Sequence, residues 1–249
     1  MDNKRIALIT GAAGGIGLAA AFRMGPQCKL ILVDKTDGVH DAAAQLKAKG
    51  FEAESMTVDL ARPDQIADMC QRVLSNGGCD ILVNNAGVHP KKNGRMIPVT
   101  EVTLEDWDAV FRINVTAPFL LAQKFLPGMK DRNWGRVINV ASRAARSFTD
   151  RVGIHYASSK TALLGMNRII AGHYAPFGIT CNCVAPGQAM TPLARTSSDE
   201  VLAAAVAATP RGKMGTADEV ASVIEYLATE DAAFITGAVI DVNGGTFMT

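Results

Sequence analysis

Little in this 249-residue chain is charged in one direction: 25 Lys and Arg stand against 24 Asp and Glu, for a formal net charge of +1. No global field therefore draws it to nucleic acid or to an anionic membrane, and any charge-based recognition has to be local. Long apolar runs are also missing, none approaching the roughly 18–20 residues that cross a bilayer. Lys4 and Arg5 ahead of an apolar stretch and Ala19–Ala21 have the outline of a secretory leader, but Gly11, Gly14, Gly15 and Gly17 interrupt it. Cysteines are few and unpatterned. Cys28, Cys70, Cys79, Cys181 and Cys183 are odd in number and contain no C-x-x-C, which argues against a disulfide framework or a zinc site and fits a reducing, cytoplasmic compartment. Cys181 and Cys183 alternate in an apolar segment and read as small core residues on one strand face. His40, His89, His155 and His173 lack metal-ligand spacing, so no metal is expected.

What the chain does have is an apolar content of 48% with only 20% charged residues, which suits a sheet covered on both faces. Short β-rich runs alternate with helical patterns throughout. The expected strands are Ile6–Thr10, Leu30–Asp34, Ala53–Val58, Ile81–Asn84, Arg136–Val140, Thr180–Val184 and Ala238–Val242. Between them lie helical stretches near 15–25, 39–50, 63–75, 103–130, 155–176 and 216–229. This rhythm implies right-handed βαβ crossovers and an α/β fold with a doubly wound (Rossmann) seven-stranded parallel sheet, helices on both faces. No repeat or linker divides the chain, so residues 1–249 are expected to form a single domain. Two segments break the rhythm, His89–Thr100 and a loop or lid at 188–210 with the Ala-rich patch Val201–Ala208. Both follow carboxyl ends of strands, where open α/β sheets bind ligands.

Thr10-Gly11-Ala12-Ala13-Gly14-Gly15-Ile16-Gly17 lies between the first strand and the first helix. Glycines there let the backbone turn tightly and approach a pyrophosphate, which the helix N-terminus attracts. The spacing is not the usual G-x-G-x-x-G, and alone it is equally a tight βα turn. Asp34, at the end of the second strand, changes the balance: a carboxylate there accepts hydrogen bonds from a ribose diol and repels a 2′-phosphate. Lys35 follows, but position 14 is glycine rather than a basic residue, so NAD is favoured over NADP.

Tyr156-Ala-Ser-Ser-Lys160 opens a helical pattern, and its i,i+4 spacing puts the ammonium on the same face as the phenol. A free phenol with pKa ~10 is a poor base at neutral pH. A neighbouring cation favours phenolate and makes the tyrosine a usable acid/base. Taken alone, the pair is better explained as a tyrosine packed on a lysine stem.

The motifs together resemble the short-chain dehydrogenase/reductase family, in its shorter single-domain form, over essentially the whole chain. Thr10-Gly11-x3-Gly15-Ile16-Gly17 resembles its cofactor turn; Asp59-Leu60 resembles the pair placed beside the adenine; Asn84-Asn85-Ala86-Gly87 resembles the motif ending the fourth strand. Asn114, Ser142, Tyr156 and Lys160 fall in the order and spacing of the family's catalytic tetrad, and Pro186-Gly187 with Thr191 resembles the segment lining the nicotinamide. The resemblance implies hydride transfer between a nicotinamide cofactor and a secondary alcohol or ketone. In it, Tyr156 moves the alcohol proton, Ser142 holds the substrate oxygen, Lys160 holds the ribose and depresses the tyrosine pKa, and Asn114 sustains a water-linked proton path. The implied cofactor contacts are Gly11, Gly15, Ile16, Gly17, Asp34, Asp59, Leu60, Asn84, Ala86, Gly87, Tyr156, Lys160, Pro186, Gly187, Ala189 and Thr191. Two departures from the family pattern are the early Gly25-Pro26 and Ala189 in place of a larger aliphatic residue.

Arg143 and Arg146 follow Ser142, Arg151 comes soon after, and Arg195 lies in the lid segment. Guanidinium groups there invite an anionic substrate, a carboxylate or sulfonate, with solvated loop charge or a subunit contact as the alternative. A 3-oxoacyl thioester reductase using NADPH is the second enzyme reading, and a dinucleotide-sensing protein without turnover a remote third. The resemblance also implies a homotetramer built on the helices near 103–130 and 155–176 and on Asp241–Thr249.

Overall fold

The computed structural model describes residues 4–191, 194 and 197–248. The first half of the chain contains β1 (Arg5–Thr10), α1 (Gly15–Met24), β2 (Cys28–Asp34), α2 (Gly38–Ala48), β3 (Ala53–Thr57), α3 (Pro63–Ser75) and β4 (Ile81–Asn84). After a loop come α4 (Leu104–Phe111), α5 (Ala117–Asp131), β5 (Gly135–Val140), α6 (Ile154–Tyr174) and β6 (Ile179–Pro186). The short strand β7 (Ala189–Met190), α7 (Asp199–Ala207), β8 (Gly215–Thr216), α8 (Ala217–Leu227) and β9 (Val239–Val242) complete the order.

Seven strands form one sheet in the order β3-β2-β1-β4-β5-β6-β9, every neighbouring pair parallel. Period-2 alternation divides the apolar side chains between its two faces. Ala7, Ile9, Leu30 and Leu32 pack with Ala21 of α1, Leu46 of α2 and Ile224 of α8, whereas Leu8, Ile31 and Val33 pack with Ile66 of α3 and Leu121 and Phe125 of α5. Each of the Leu, Ile, Val and Phe side chains, fully buried, contributes about 1.5–3 kcal/mol of transfer free energy. All five cysteines are buried and unpaired, Cys181 and Cys183 both on β6.

The stretch expected as one helix over 103–130 is two helices joined by a π turn at Arg112–Thr116. Pro118 has no N–H to offer the carbonyl of Asn114, which loosens the register there. The Ala-rich patch in the lid is helical: Ser198 caps α7 by accepting from the Val201 amide. Among the described residues no helix is long and apolar enough to cross a membrane. The chain leaves β1 for β2 on one side and later returns to pair β4 on the other, so the crevice at this reversal opens at the carboxyl ends of both strands.

Candidate active site

A cavity of about 710 Å³ occupies that crevice, walled by the glycine turn, Asp34, residues 85–91, Ser142, Tyr156, Lys160 and residues 186–189. Gly11 and Gly15 adopt φ of +67° and +57°. A Cβ on Gly11 would lie 2.9 Å from the Ala86 Cα, and one on Gly17 2.4 Å from the Gly11 carbonyl oxygen, so neither tolerates a side chain. Gly14 precedes α1 and supplies no side-chain cap, which leaves the first-turn amides of the helix for a ligand. This is a cradle that fits a pyrophosphate, at the positive end of the helix dipole.

Asn85 stitches the turn to β4. Its Nδ2 donates to the carbonyl oxygens of Thr10 (2.8 Å) and Gly11 (3.1 Å), while the Thr10 hydroxyl accepts from the amides of Asn85 and Ala86, each at 3.0 Å. Sequence reasoning placed Asn84 in the cofactor site; the structure turns it into the sheet, where its Nδ2 donates to Asn139 Oδ1 at 2.8 Å, and its successor Asn85 lines the cavity. Strand alternation explains the exchange, since neighbouring residues point to opposite sides. Asp59 and Leu60 are likewise not among the lining residues: Asp59 accepts from the Ala61 amide and Leu60 sits in the core. Gly17 acts from behind the wall, through the close approach to Gly11.

Asp34 reaches the cavity with its carboxylate held by the amides of Ala13 (3.1 Å) and Thr36 (3.2 Å) and by the Thr36 hydroxyl (3.2 Å). The carboxylate is thus aimed along the same wall as Ile16, where a ribose beyond the glycine turn would sit. Ala86, Gly87, Pro186, Gly187, Ala189 and Thr191 all line the cavity. Gly187 is fixed at the end of β9: its amide donates to the Val242 carbonyl at 2.9 Å, and a Cβ there would fall 2.8 Å from the Cα of the following residue, Asn243.

Tyr156 and Lys160 share the first turns of α6, both buried and both on the cavity wall beside Ser142. Burial pushes the Tyr156 phenol up, while the Ser142 side chain pulls it down. Lys160 is lowered to about 8 by burial; its Nζ donates to the Val140 carbonyl at 2.7 Å and stands 5.9 Å from the Tyr156 ring centre. In the protein alone burial dominates both groups, raising the phenol and lowering the ammonium. Ser142 Oγ accepts from the Ala144 amide at 3.1 Å, which orients the hydroxyl at the mouth of a 3₁₀ turn.

Asn114 lies in the π turn, buried behind the cavity wall. Its Oδ1 accepts from the Val88 amide (2.8 Å), and its Nδ2 donates to the Val88 carbonyl (3.0 Å) and to Ser159 Oγ (3.0 Å). Ser159 in turn donates to the Tyr156 carbonyl at 2.8 Å, so Asn114 holds both the strand-end loop and the helix that carries Tyr156. His89, which sequence reasoning left without a role, stacks on Tyr156 with ring centres 4.5 Å apart and accepts from the Gly153 amide. Only its spacing after Asn84-Asn85-Ala86-Gly87 could have signalled this. His155 meets His89 edge-on, ring centres 6.3 Å apart, and both its ring nitrogens are buried without partners.

The arginines separate. Arg146 is turned from the cavity: it pairs with Asp241 at 3.6 Å, donates to the Val239 carbonyl and covers Phe247, so its expected substrate role does not fit its position. Arg143 lies in a side pocket with Thr149 and Thr209, next to Ser142. Arg195 lies outside the described residues. Arg151 and Lys91 line the main cavity.

A family model described as enoyl-(acyl carrier protein) reductase matches residues 11–246. The chain belongs to the short-chain dehydrogenase/reductase family. It is 33% identical over 98% of its length to the 3-oxoacyl-[acyl-carrier-protein] reductase of Aquifex aeolicus, covering 97% of that protein. Among solved structures it resembles a 3-oxoacyl-[acyl-carrier protein] reductase from Brucella melitensis with bound NAD, with a TM-score of 0.92 and 32% identity, covering 99% of this chain and 93% of that one. It also resembles a gluconate 5-dehydrogenase homologue from Beutenbergia cavernae with bound NADP, with a TM-score of 0.91 and 31% identity, covering 97% and 96%. As a member of this family the protein is an oxidoreductase of alcohol and carbonyl groups with a nicotinamide cofactor.

Proposed function

We propose that the protein is an NAD-dependent oxidoreductase that interconverts a secondary alcohol and its ketone, with Tyr156 as the proton-transfer group. Asp34 carries the cofactor preference: its carboxylate is fixed on the cavity wall, and a 2′-phosphate there would meet like charge. The nicotinamide supplies or accepts the hydride. Tyr156 takes the proton from the carbinol oxygen, or returns it to the ketone; Ser142 donates to the same oxygen and stabilises its developing charge. Lys160, a buried cation beside the ring, holds the ribose and favours the phenolate once it is charged. Asn114 keeps α6 and the Val88 backbone in register and so positions Tyr156.

Initial rates with NADH and NADPH test the reading. NADH should be preferred, and Asp34→Ala should move the kcat/KM ratio toward NADPH by about tenfold or more, the removal of one like charge being worth 1–2 kcal/mol. A wild-type preference for NADPH that Asp34→Ala leaves in place overturns it. The second reading, a 3-oxoacyl thioester reductase, is favoured by the Aquifex aeolicus relative. Faster turnover of 3-oxoacyl thioesters with NADPH than of free ketones with NADH would establish it.

Assembly and location belong to the same reading. Phe119 on α5 and Ile169 on α6 leave 50% and 61% of their surface exposed, and we place a homo-oligomeric contact, a tetramer in full, on these helices. Light scattering in solution checks it. Five buried free thiols agree with a cytoplasmic location.

A further inference from the structure

The lid end of the cavity carries two cations, Lys91 and Arg151, and no carboxylate; Asp34, the only carboxylate among the described lining residues, stands at the cofactor end beside Lys35, with Lys160 between the two ends. Lys91 comes from the loop after β4 and Arg151 from the segment between Ser142 and α6, so the two cations enter from different walls. Both also reach the lid: Lys91 Nζ donates to Ser197 Oγ at 2.8 Å, and Arg151 Nη2 donates to the Ala204 carbonyl of α7 at 3.2 Å. Arg151 keeps 25% of its side-chain surface and makes a long ion pair, 4.0 Å from Nε, with its neighbour Asp150, itself 76% exposed. Burial lowers the Lys91 pKa, as expected of an ammonium drawn into a wall.

We infer that the lid end of the cavity receives a carboxylate of the substrate, held by Lys91 and Arg151, so that the substrate is a small hydroxy acid and its product the corresponding oxo acid. The inference rests on the dehydrogenase reading and adds its substrate class. A guanidinium offers a carboxylate two parallel N–H donors, and an ammonium a point charge from the other side. A dinucleotide and the substrate share this cavity of about 710 Å³, which favours a small substrate. In the forward direction the carbinol carbon loses a hydride to NAD⁺ and its oxygen loses a proton to Tyr156. The carboxylate passes through unchanged.

Hydroxy carboxylates of graded chain length, each run against its methyl ester with NAD⁺, test the class. The best acid should exceed its ester at least about tenfold in kcat/KM, chiefly through KM, and Lys91→Met and Arg151→Met should each collapse that ratio. Lys91→Arg should retain most of it. Lys92→Met removes a cation that pairs with Glu101 on the surface, and it should leave the ratio as in wild type. Esters turned over as well as acids, or a ratio unmoved in both Met variants, overturns the inference and leaves the dehydrogenase reading standing. Calorimetric titration of the NAD-loaded protein with succinate and with dimethyl succinate covers a protein that turns over neither acid nor ester. Succinate binding lost in Lys91→Met and Arg151→Met would keep the anion site while the dehydrogenase reading fell; no succinate binding would remove the anion site as well.

Discussion

Lys160 shows how the site is set against the stability of the fold. Its ammonium is 3% exposed and its pKa falls from 10.5 to about 8, a shift worth about 3 kcal/mol against the folded state wherever the side chain is charged in both states. The hydrogen bond to the Val140 carbonyl returns about 1–2 kcal/mol of this. Lys160→Met should therefore abolish turnover and yet stabilise the free protein by about 1–2 kcal/mol at pH 7. The sign of the pH dependence follows from the depressed pKa. The unfolded chain binds the extra proton between pH 8 and 10.5, so wild-type stability gains on Lys160→Met as pH rises through that window. Urea unfolding of both proteins at pH 7 and pH 10 measures it; a Met variant less stable than wild type at both would show that the Val140 contact outweighs burial. His155, two unpaired ring nitrogens in the core, belongs to the same class of unfavourable buried groups.

At the scale of elements, the lid is docked by backbone as well as by side chains. Ser198, the cap of α7, donates its amide to the Gly94 carbonyl at 3.2 Å, and Arg95 pairs with Glu200. Gly94 holds φ +72°, and a Cβ there would lie 2.9 Å from the Ser198 nitrogen. Gly94→Ala should thus push the lid off its dock, raise the substrate KM several-fold and speed amide exchange across α7, with Tm moved by only a few degrees because no core contact changes. Unaltered exchange in α7 would mean that the Arg95–Glu200 pair and Lys91 hold the lid without the backbone contact. The strands around this site were legible because buried parallel strands read as apolar runs and the glycine turn marks where the chain reverses. Cys28 and Lys29 extend β2 earlier than expected because pairing with β1 recruits them despite their polarity. The break at Arg112–Thr116 was hidden, since apolar spacing continues through it and only Pro118 betrays the lost hydrogen bond. Asn84 and Asn85 could not be told apart by motif, because which of them faces the cavity depends on where β4 ends. Arg146 leaves the cavity and Lys91 enters it unannounced for a related reason: distance along the chain from Ser142 says nothing about which wall a loop supplies.

For the whole molecule, near-zero net charge removes global repulsion as a driver of unfolding near neutrality, so the acid limb of stability is set by individual buried groups. His89 is foremost among them. Burial lowers its pKa from 6.5 to about 3, with the nearby charge of Lys91 acting in the same direction. A depressed folded-state pKa means that the unfolded chain takes up the proton first. Stability is then intact above pH 6.5 and is lost progressively as pH falls from there toward 3. Carboxylates in surface pairs, Asp218 with Arg23 and Glu219 with Lys213, are also lowered, but they act at lower pH and are screened by solvent. His89→Phe should keep the stack on Tyr156 and cost about 1 kcal/mol at neutral pH, since the Gly153 amide loses its acceptor. Its stability should then stay flat between pH 6.5 and 4.5, where wild type declines. Thermal unfolding across that range decides the matter: parallel declines in the two proteins would move the acid sensitivity from His89 to the carboxylates.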